Sequence, residues 1–238
     1  MKKIILTGIL GLALMSCSEQ RKNESQTEDL KQNQMMKKTI DTNLPTIGIL
    51  IFEGVIINEV IAPLDVFSNS NSEGKKLFNV ITIGKEHMTF SSAHGLKINP
   101  DYTINDLPDL NVLVVPSSYT PSNQTSDKDL VEFVKAQNKT TEYVASHCAG
   151  AFLIGESGIA DHKEIVTYVT GGDYLKADYP NLNVADDSKV SVVQDGKFIS
   201  SNGSLVSYIA SFDLLEKMTS KAHRKFAETS LLFDRLNK

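Results

Sequence analysis

Cysteine is scarce in this chain: 238 residues hold two, Cys17 and Cys148. So few thiols exclude a cysteine-rich zinc site, and His87, His94, His147, His162 and His223 show no metal-ligand spacing. Neither a structural metal nor a cofactor is expected. Concentrated positive charge is also missing, since the formal net charge is −5 and the Lys and Arg residues are scattered. That balance argues against a nucleic-acid surface. The nearest thing to a basic patch, Lys217 to Lys225, reads as the solvated face of a helix. No internal repeat is present.

Long hydrophobic runs are lacking too. The chain opens with Met1-Lys2-Lys3, an apolar run from Ile4 to Met15, and then Ser16-Cys17. The run is too short to span a bilayer as a stable helix, and its flanks are those of a signal peptide. Leu14-Met15-Ser16-Cys17 resembles the bacterial lipobox, which implies that Cys17 becomes the lipidated first residue of a protein anchored to a membrane of the cell envelope. Acyl chains contribute about 0.8 kcal/mol per buried methylene, so several on one cysteine hold firmly. From Ser18 to about Asn43 the composition turns to Glu, Gln, Lys, Asn, Ser and Thr, too polar to offset its chain entropy. The expected organisation is a signal peptide over 1–16, a disordered tether over 17–44, and one domain over 45–238.

With Cys17 lipidated, Cys148 has no partner for an internal disulfide. An unpaired thiol in an exported protein is either buried or kept for its reactivity.

Within the domain, the apolar run from Ile47 to Phe52 suits a strand covered on both faces. Asn58 to Phe67 suits a helix with Val60, Ile61, Leu64 and Phe67 on one side, where Pro63 fits as a kink or near the first turn. Phe78 to Gly84 and Val112 to Val115 read as further strands. Thr125-Ser126-Asp127 offers a side-chain cap to a helix carrying Leu130, Val131, Phe133 and Val134. Glu164 to Thr170 reads as a short buried strand, Gly172 to Tyr179 as a helix, and Val190 to Ser200 as a hairpin turning at Asp195-Gly196. Ser204 to Met218 reads as a covering helix, and Ala222 to Leu236 as an amphipathic segment packed on the domain. This alternation predicts an α/β sandwich with a mostly parallel sheet, whose ligands gather at the carboxyl ends of its strands.

Tyr143 to Gly158 organises the rest. Its first part reads as the end of a buried strand, its second as the start of a helix, and Cys148 stands at the join. Small residues at Ala149 and Gly150 allow the tight turn of a nucleophile elbow. A helix N-terminus there favours thiolate over thiol; the alternative is a small buried hydrophobe. His147 precedes Cys148 on an extended strand, so it points to the opposite face.

Three stretches resemble the PfpI/ThiJ superfamily: Phe52 to Phe67, the Val114-Val115-Pro116 strand end, and Ala145-Ser-His-Cys-Ala-Gly-Ala-Phe-Leu-Ile-Gly-Glu-Ser-Gly-Ile-Ala160. The chain looks most like the branch of isonitrile hydratases and the ligand-binding domains of AraC-type regulators. The resemblance covers roughly Thr46 to Met218 and implies a flavodoxin-like three-layer sandwich, frequently a homodimer. It also implies an acid beside the elbow cysteine, here Glu59, which would titrate with Cys148 as a coupled pair. Backbone N–H groups of Ala149 and Ser118 are the candidates for an oxyanion hole.

The chain departs from its relatives in three places. The residue after the cysteine, a participating threonine in isonitrile hydratases, is Ala149. The position where many hydrolytic and glyoxalase-like relatives carry a histidine is Tyr168, leaving Tyr168 and His147 as supporting residues. Pro116-Ser117-Ser118 replaces Pro-Gly-Gly, so a serine forced to positive φ would distort the hole at a cost of about 1 kcal/mol or more. The expected function is a hydratase or lyase acting on a small molecule through Cys148 and Glu59. The alternatives are a ligand-binding or thiol redox-sensing module of the same fold, and a cysteine peptidase or amidase, which lacks its histidine. A regulator would require a DNA-binding extension, which is not expected before Lys238.

Overall fold

Apolar strands alternating with amphipathic segments build a seven-stranded sheet in the computed structural model, which describes residues 38–236. The expected signal peptide, Cys17 and the tether as far as residue 37 lie outside the described residues. The strands are β1 (Thr46–Leu50), β2 (Asn79–Gly84), β3 (Phe90–Ser91), β4 (Lys97–Ile98), β5 (Tyr102–Thr103), β6 (Val112–Val115), β7 (Tyr143–His147), β8 (Glu164–Ile165), β9 (Asn183–Val184), β10 (Val192–Asp195) and β11 (Phe198–Ser201). The helices are α1 (Ile57–Ser68), α2 (Ser122–Thr125), α3 (Lys128–Asn138), α4 (Gly150–Ser157), α5 (Gly172–Asp178), α6 (Val206–Met218) and α7 (Lys221–Ser230).

The sheet runs β10-β11-β7-β6-β1-β2-β5, and every neighbouring pair is parallel except the β10–β11 hairpin. Helices flank it, α1 packed on α6 and α4 packed on α3, making the α/β flavodoxin-like sandwich that the alternation predicts. All residues of β1, β2 and β6 are buried, as a parallel sheet covered on both faces requires. After β1 the chain builds outward to β2 and β5, then returns to add β6, β7 and β11 on the other side of β1. The switch point therefore falls between β1 and β6, and the segments that follow β1, β6, β7 and β11 meet at its carboxyl end.

Local chemistry sets the helix ends. Asp127 caps α3 by accepting from the N–H groups of Asp129 and Leu130, as the cap signal predicts. Pro63 lies inside α1, where it cannot donate to the Glu59 carbonyl one turn earlier. The buried side of α1 is Glu59, Val60, Ala62, Pro63, Val66 and Phe67, so Ile61 and Leu64 lie at its edge rather than at its centre. Arg224 of α7 reaches Asp213 and Glu216 of α6 and fixes the C-terminal helix on the domain.

Two observations refine the sequence reading. Only Glu164 and Ile165 form a strand in the stretch 164–170, because Val166 turns its N–H to the Ser200 hydroxyl and Thr170 adopts φ 75°. Residues 38–44 are tied to the domain: Asp41 N–H donates to Asn79 Oδ1 (3.0 Å), and Asn79 Nδ2 donates to the carbonyls of Asp41 (2.8 Å) and Leu44 (3.1 Å).

Candidate active site

Cys148 ends β7 at φ 52°, a left-handed conformation that costs a residue with a side chain on the order of 1 kcal/mol or more. The surrounding structure over-determines it. Cys148 N–H donates to the Ser201 carbonyl (2.8 Å), extending the β7–β11 ladder, and its own carbonyl accepts from the Thr167 hydroxyl (2.9 Å). Gly150 is the tightest point of the elbow, because a Cβ there would lie 2.3 Å from the Val115 carbonyl oxygen. Sequence and structure agree on a nucleophile elbow, and Cys148 is half-buried there.

Glu59 enters from the first turn of α1 with none of its surface exposed. Its Oε2 accepts from Ser117 N–H (2.7 Å), after β6, and its Oε1 from Ser204 N–H (3.2 Å), after β11. Burial raises the Glu59 pKa, while the donors from Ser117, Ser204 and Cys148 pull the other way. Burial also pushes the Cys148 thiol up to about 11, with the negative charge of Glu59 as the second cause. The Ala149 N–H, at the start of α4, favours the thiolate as expected from the helix terminus, but it is outweighed. The expected bias toward thiolate is thus reversed: at neutral pH the cysteine is a thiol. The Ser117 hydroxyl stands beside both groups and stabilises both anions, yet it meets hydrogen-bond geometry with neither and has no partner.

The other candidates separate. Ala149 sits at the elbow with its N–H beside the sulfur. Ser118 pairs with Val55 through an isolated bridge and gives its hydroxyl to Gln124 (2.6 Å). Neither Ser117 nor Ser118 takes a positive φ, so the strain anticipated for Pro-Ser-Ser does not arise. Tyr168 stacks on Phe152 and has its phenol pKa raised by burial and then by the Cys148 charge, which puts it at the same site. His147 faces away, as strand alternation requires, and pairs through Nδ1 with Ser201 Oγ at 2.8 Å. Ser117, expected in the loop beside the oxyanion hole, completes the site together with Thr167, Gly203 and Ser204, which the sequence does not mark as its members. Asn202-Gly203 at a strand end was the available turn signal.

A cavity of about 10 Å³ behind Ala149 and Gly150, lined by Phe52, Ser118 and Leu153 among others, is at the limit for one water. The wider clefts, from about 380 Å³ beside Asp173 and Asp187 to about 650 Å³ beside Ser122 and Lys128 and beside Glu164 and Pro180, include neither Cys148 nor Glu59. Among the described residues no group of three or more His, Cys, Asp or Glu could hold a metal ion, and no helix is long and apolar enough to cross a membrane.

A parallel sheet carrying an elbow cysteine and a buried glutamate at its switch point defines a class. Residues 45–217 match the DJ-1/PfpI family, and the chain belongs to it. An isonitrile hydratase from Pseudomonas putida is 28% identical over 157 residues, covering 66% of this chain and 64% of that protein. The chain thus spans less than two thirds of the length of that relative. Among solved structures, a ThiJ/PfpI family protein from Pseudomonas syringae superposes with a TM-score of 0.71 at 19% identity, over 80% of this chain and 76% of that one. An AraC family transcriptional regulator from Pseudomonas putida does so with a TM-score of 0.68 at 16% identity, over 79% and 99%. At these identities the two structures share the fold.

Proposed function

We propose that this protein is a membrane-anchored hydratase or lyase for a small electrophile of the isonitrile or 2-oxoaldehyde kind. The observation that carries the reading is Glu59, a carboxylate with no exposed surface held by two backbone N–H groups beside the half-buried Cys148. Burying a carboxyl is costly unless it has work or partners, and this one has both a partner thiol and a raised pKa. With an isonitrile, Glu59 takes the thiol proton as Sγ bonds the terminal carbon, then returns it to that carbon. Water adds to the resulting thioimidate, the C–S bond breaks, and the thiol is restored as an N-substituted formamide leaves. The Ala149 N–H, a donor to Cys148, is assigned to stabilise the charge that develops.

The measurement is steady-state turnover of isonitrile and 2-oxoaldehyde substrates. Cys148→Ser abolishes it, and Glu59→Gln lowers kcat by on the order of 10²–10⁴. The acid limb of kcat/KM lies above the ordinary carboxylate range and disappears in Glu59→Gln. Absence of turnover by the unmodified protein would sink the reading. It would leave the ligand-binding or redox-sensing alternative, of which the protonated state of Cys148 favours ligand binding, since oxidants attack the thiolate. The anchor rests on the lipobox resemblance of Leu14 to Cys17. Full-length protein in the membrane fraction, released by Cys17→Ser, supports it, and a soluble full-length protein removes it. The small electrophile is the proposed partner, along with the membrane and a second copy of the chain.

A further inference from the structure

His147 is the most deeply placed titratable group that the chemistry above leaves unused. It is 1% exposed, its Nε2 has no partner, and its Nδ1 lies 2.8 Å from Ser201 Oγ. The contact follows from register, because His147 and Ser201 are paired residues of the parallel β7 and β11 and share a face of the sheet.

Ser201 has a second bond. Its Oγ accepts from Gly203 N–H at 3.2 Å, closing a turn in which Gly203 (φ 86°) and Ser204 (φ 48°) both adopt left-handed backbone. That turn aims Ser204 N–H at Glu59 Oε1, 3.2 Å away. It is also pressed onto the reacting pair, since a Cβ on Gly203 would lie 2.3 Å from Cys148 Cβ and 2.4 Å from Glu59 Oε1. Asn202 ties the start of this strained turn to the Thr167 and Ser191 carbonyls, and the Ser201 side chain that pairs with His147 holds the N–H of Gly203 itself.

We propose that His147 is a positioning residue which, through Ser201, holds the Gly203-Ser204 turn against Glu59 and so sets the proton affinities of the Glu59–Cys148 pair. The proposal rests on the reading of that pair as the working groups of the site. Glu59, Cys148 and the Tyr168 phenol are the titratable groups brought together there. His147 itself, its pKa lowered to about 4 by burial alone, is neutral at working pH and acts through its hydrogen bond rather than its charge. Loosening the turn removes a donor from Glu59, which makes the carboxylate easier to protonate. The proton that the pair shares then moves from Sγ toward Glu59, so the thiolate of Cys148 is populated at lower pH.

The test is the rate of Cys148 alkylation by iodoacetamide against pH. This readout needs no turnover, so its failure is separate from failure of the hydratase reading. In His147→Ala and in Ser201→Ala the inflection moves down by about one pH unit, equivalent to roughly tenfold faster labelling at pH 8. His147→Asn, which keeps a polar atom near the Nδ1 position, restores most of the original profile, whereas His147→Leu does not. In a Glu59→Gln background the Ser201→Ala change moves the inflection no further. An unmoved inflection in folded Ser201→Ala, or a shift that persists undiminished over Glu59→Gln, overturns the proposal. A His147→Ala protein that merely unfolds more easily while its labelling profile is retained does the same.

Discussion

Cys148 and Glu59 compete for one charge in a space that favours none. Burial raises both groups; the Glu59 charge raises the thiol further, while the Cys148 S–H, as a donor, pulls the carboxyl down. The consequence for stability has a definite sign. A folded-state pKa near 11 exceeds that of the unfolded thiol, ~8.5, so the native state gains stability below the unfolded value and loses it as pH rises through the folded one. The loss between about pH 8.5 and 11 is on the order of 3 kcal/mol. Urea unfolding of the wild type and of Cys148→Ala should therefore diverge over that window, with the wild type falling more steeply. Parallel curves would mean that the thiol ionises in the fold as readily as in the open chain. The same balance explains the catalytic assignment: a thiol attacked by its own buried base needs no standing thiolate, and Glu59 is the base within reach.

At the scale of elements, legibility follows hydrophobic period and turn chemistry. The strands β1, β2, β6 and β7 are short apolar runs bounded by turn residues, and they could be read directly. Asp127 before Leu130 announced α3 through its side-chain oxygen, and Asp195-Gly196 announced the β10–β11 hairpin. The join of β7 to α4 was legible because Ala149-Gly150 after a buried run leaves little else for Cys148 to do than turn. Glu164 to Thr170 stops short of a full strand because the backbone of the buried Val166 bonds to a serine side chain, not a strand, and Val169 beyond it is exposed. The partners of Glu59 were hidden for a different reason. Ser117 and Ser204 act through backbone N–H groups, which every non-proline residue owns, so sequence marks them only by position after β6 and β11. Ser201 was similarly silent until the β7–β11 register placed it beside His147.

At the scale of the molecule, the question is where the folded unit begins, because a tether must end before it. Composition puts the change near Thr46, but the hydrogen bonds begin earlier. Asn79, 1% exposed at the start of β2, spends its side chain on Asp41 and Leu44, and the Tyr102 hydroxyl donates to the Lys38 carbonyl at 2.6 Å. Ile40 packs against the core beside them. If Cys17 carries the proposed anchor, the reach of the tether is set by the residues between it and the first one that the domain holds. Residues 38–44 add nothing to that reach, since they are already committed to the domain. Protein beginning at Lys38 should therefore be more stable than protein beginning at Thr46 by about 1–3 kcal/mol, the range for leaving buried polar groups such as Asn79 without their partners. The urea midpoints of the two forms, compared at equal slope, measure this difference. Coincident midpoints would place the boundary at Thr46 and return the eight residues 38–45 to the tether.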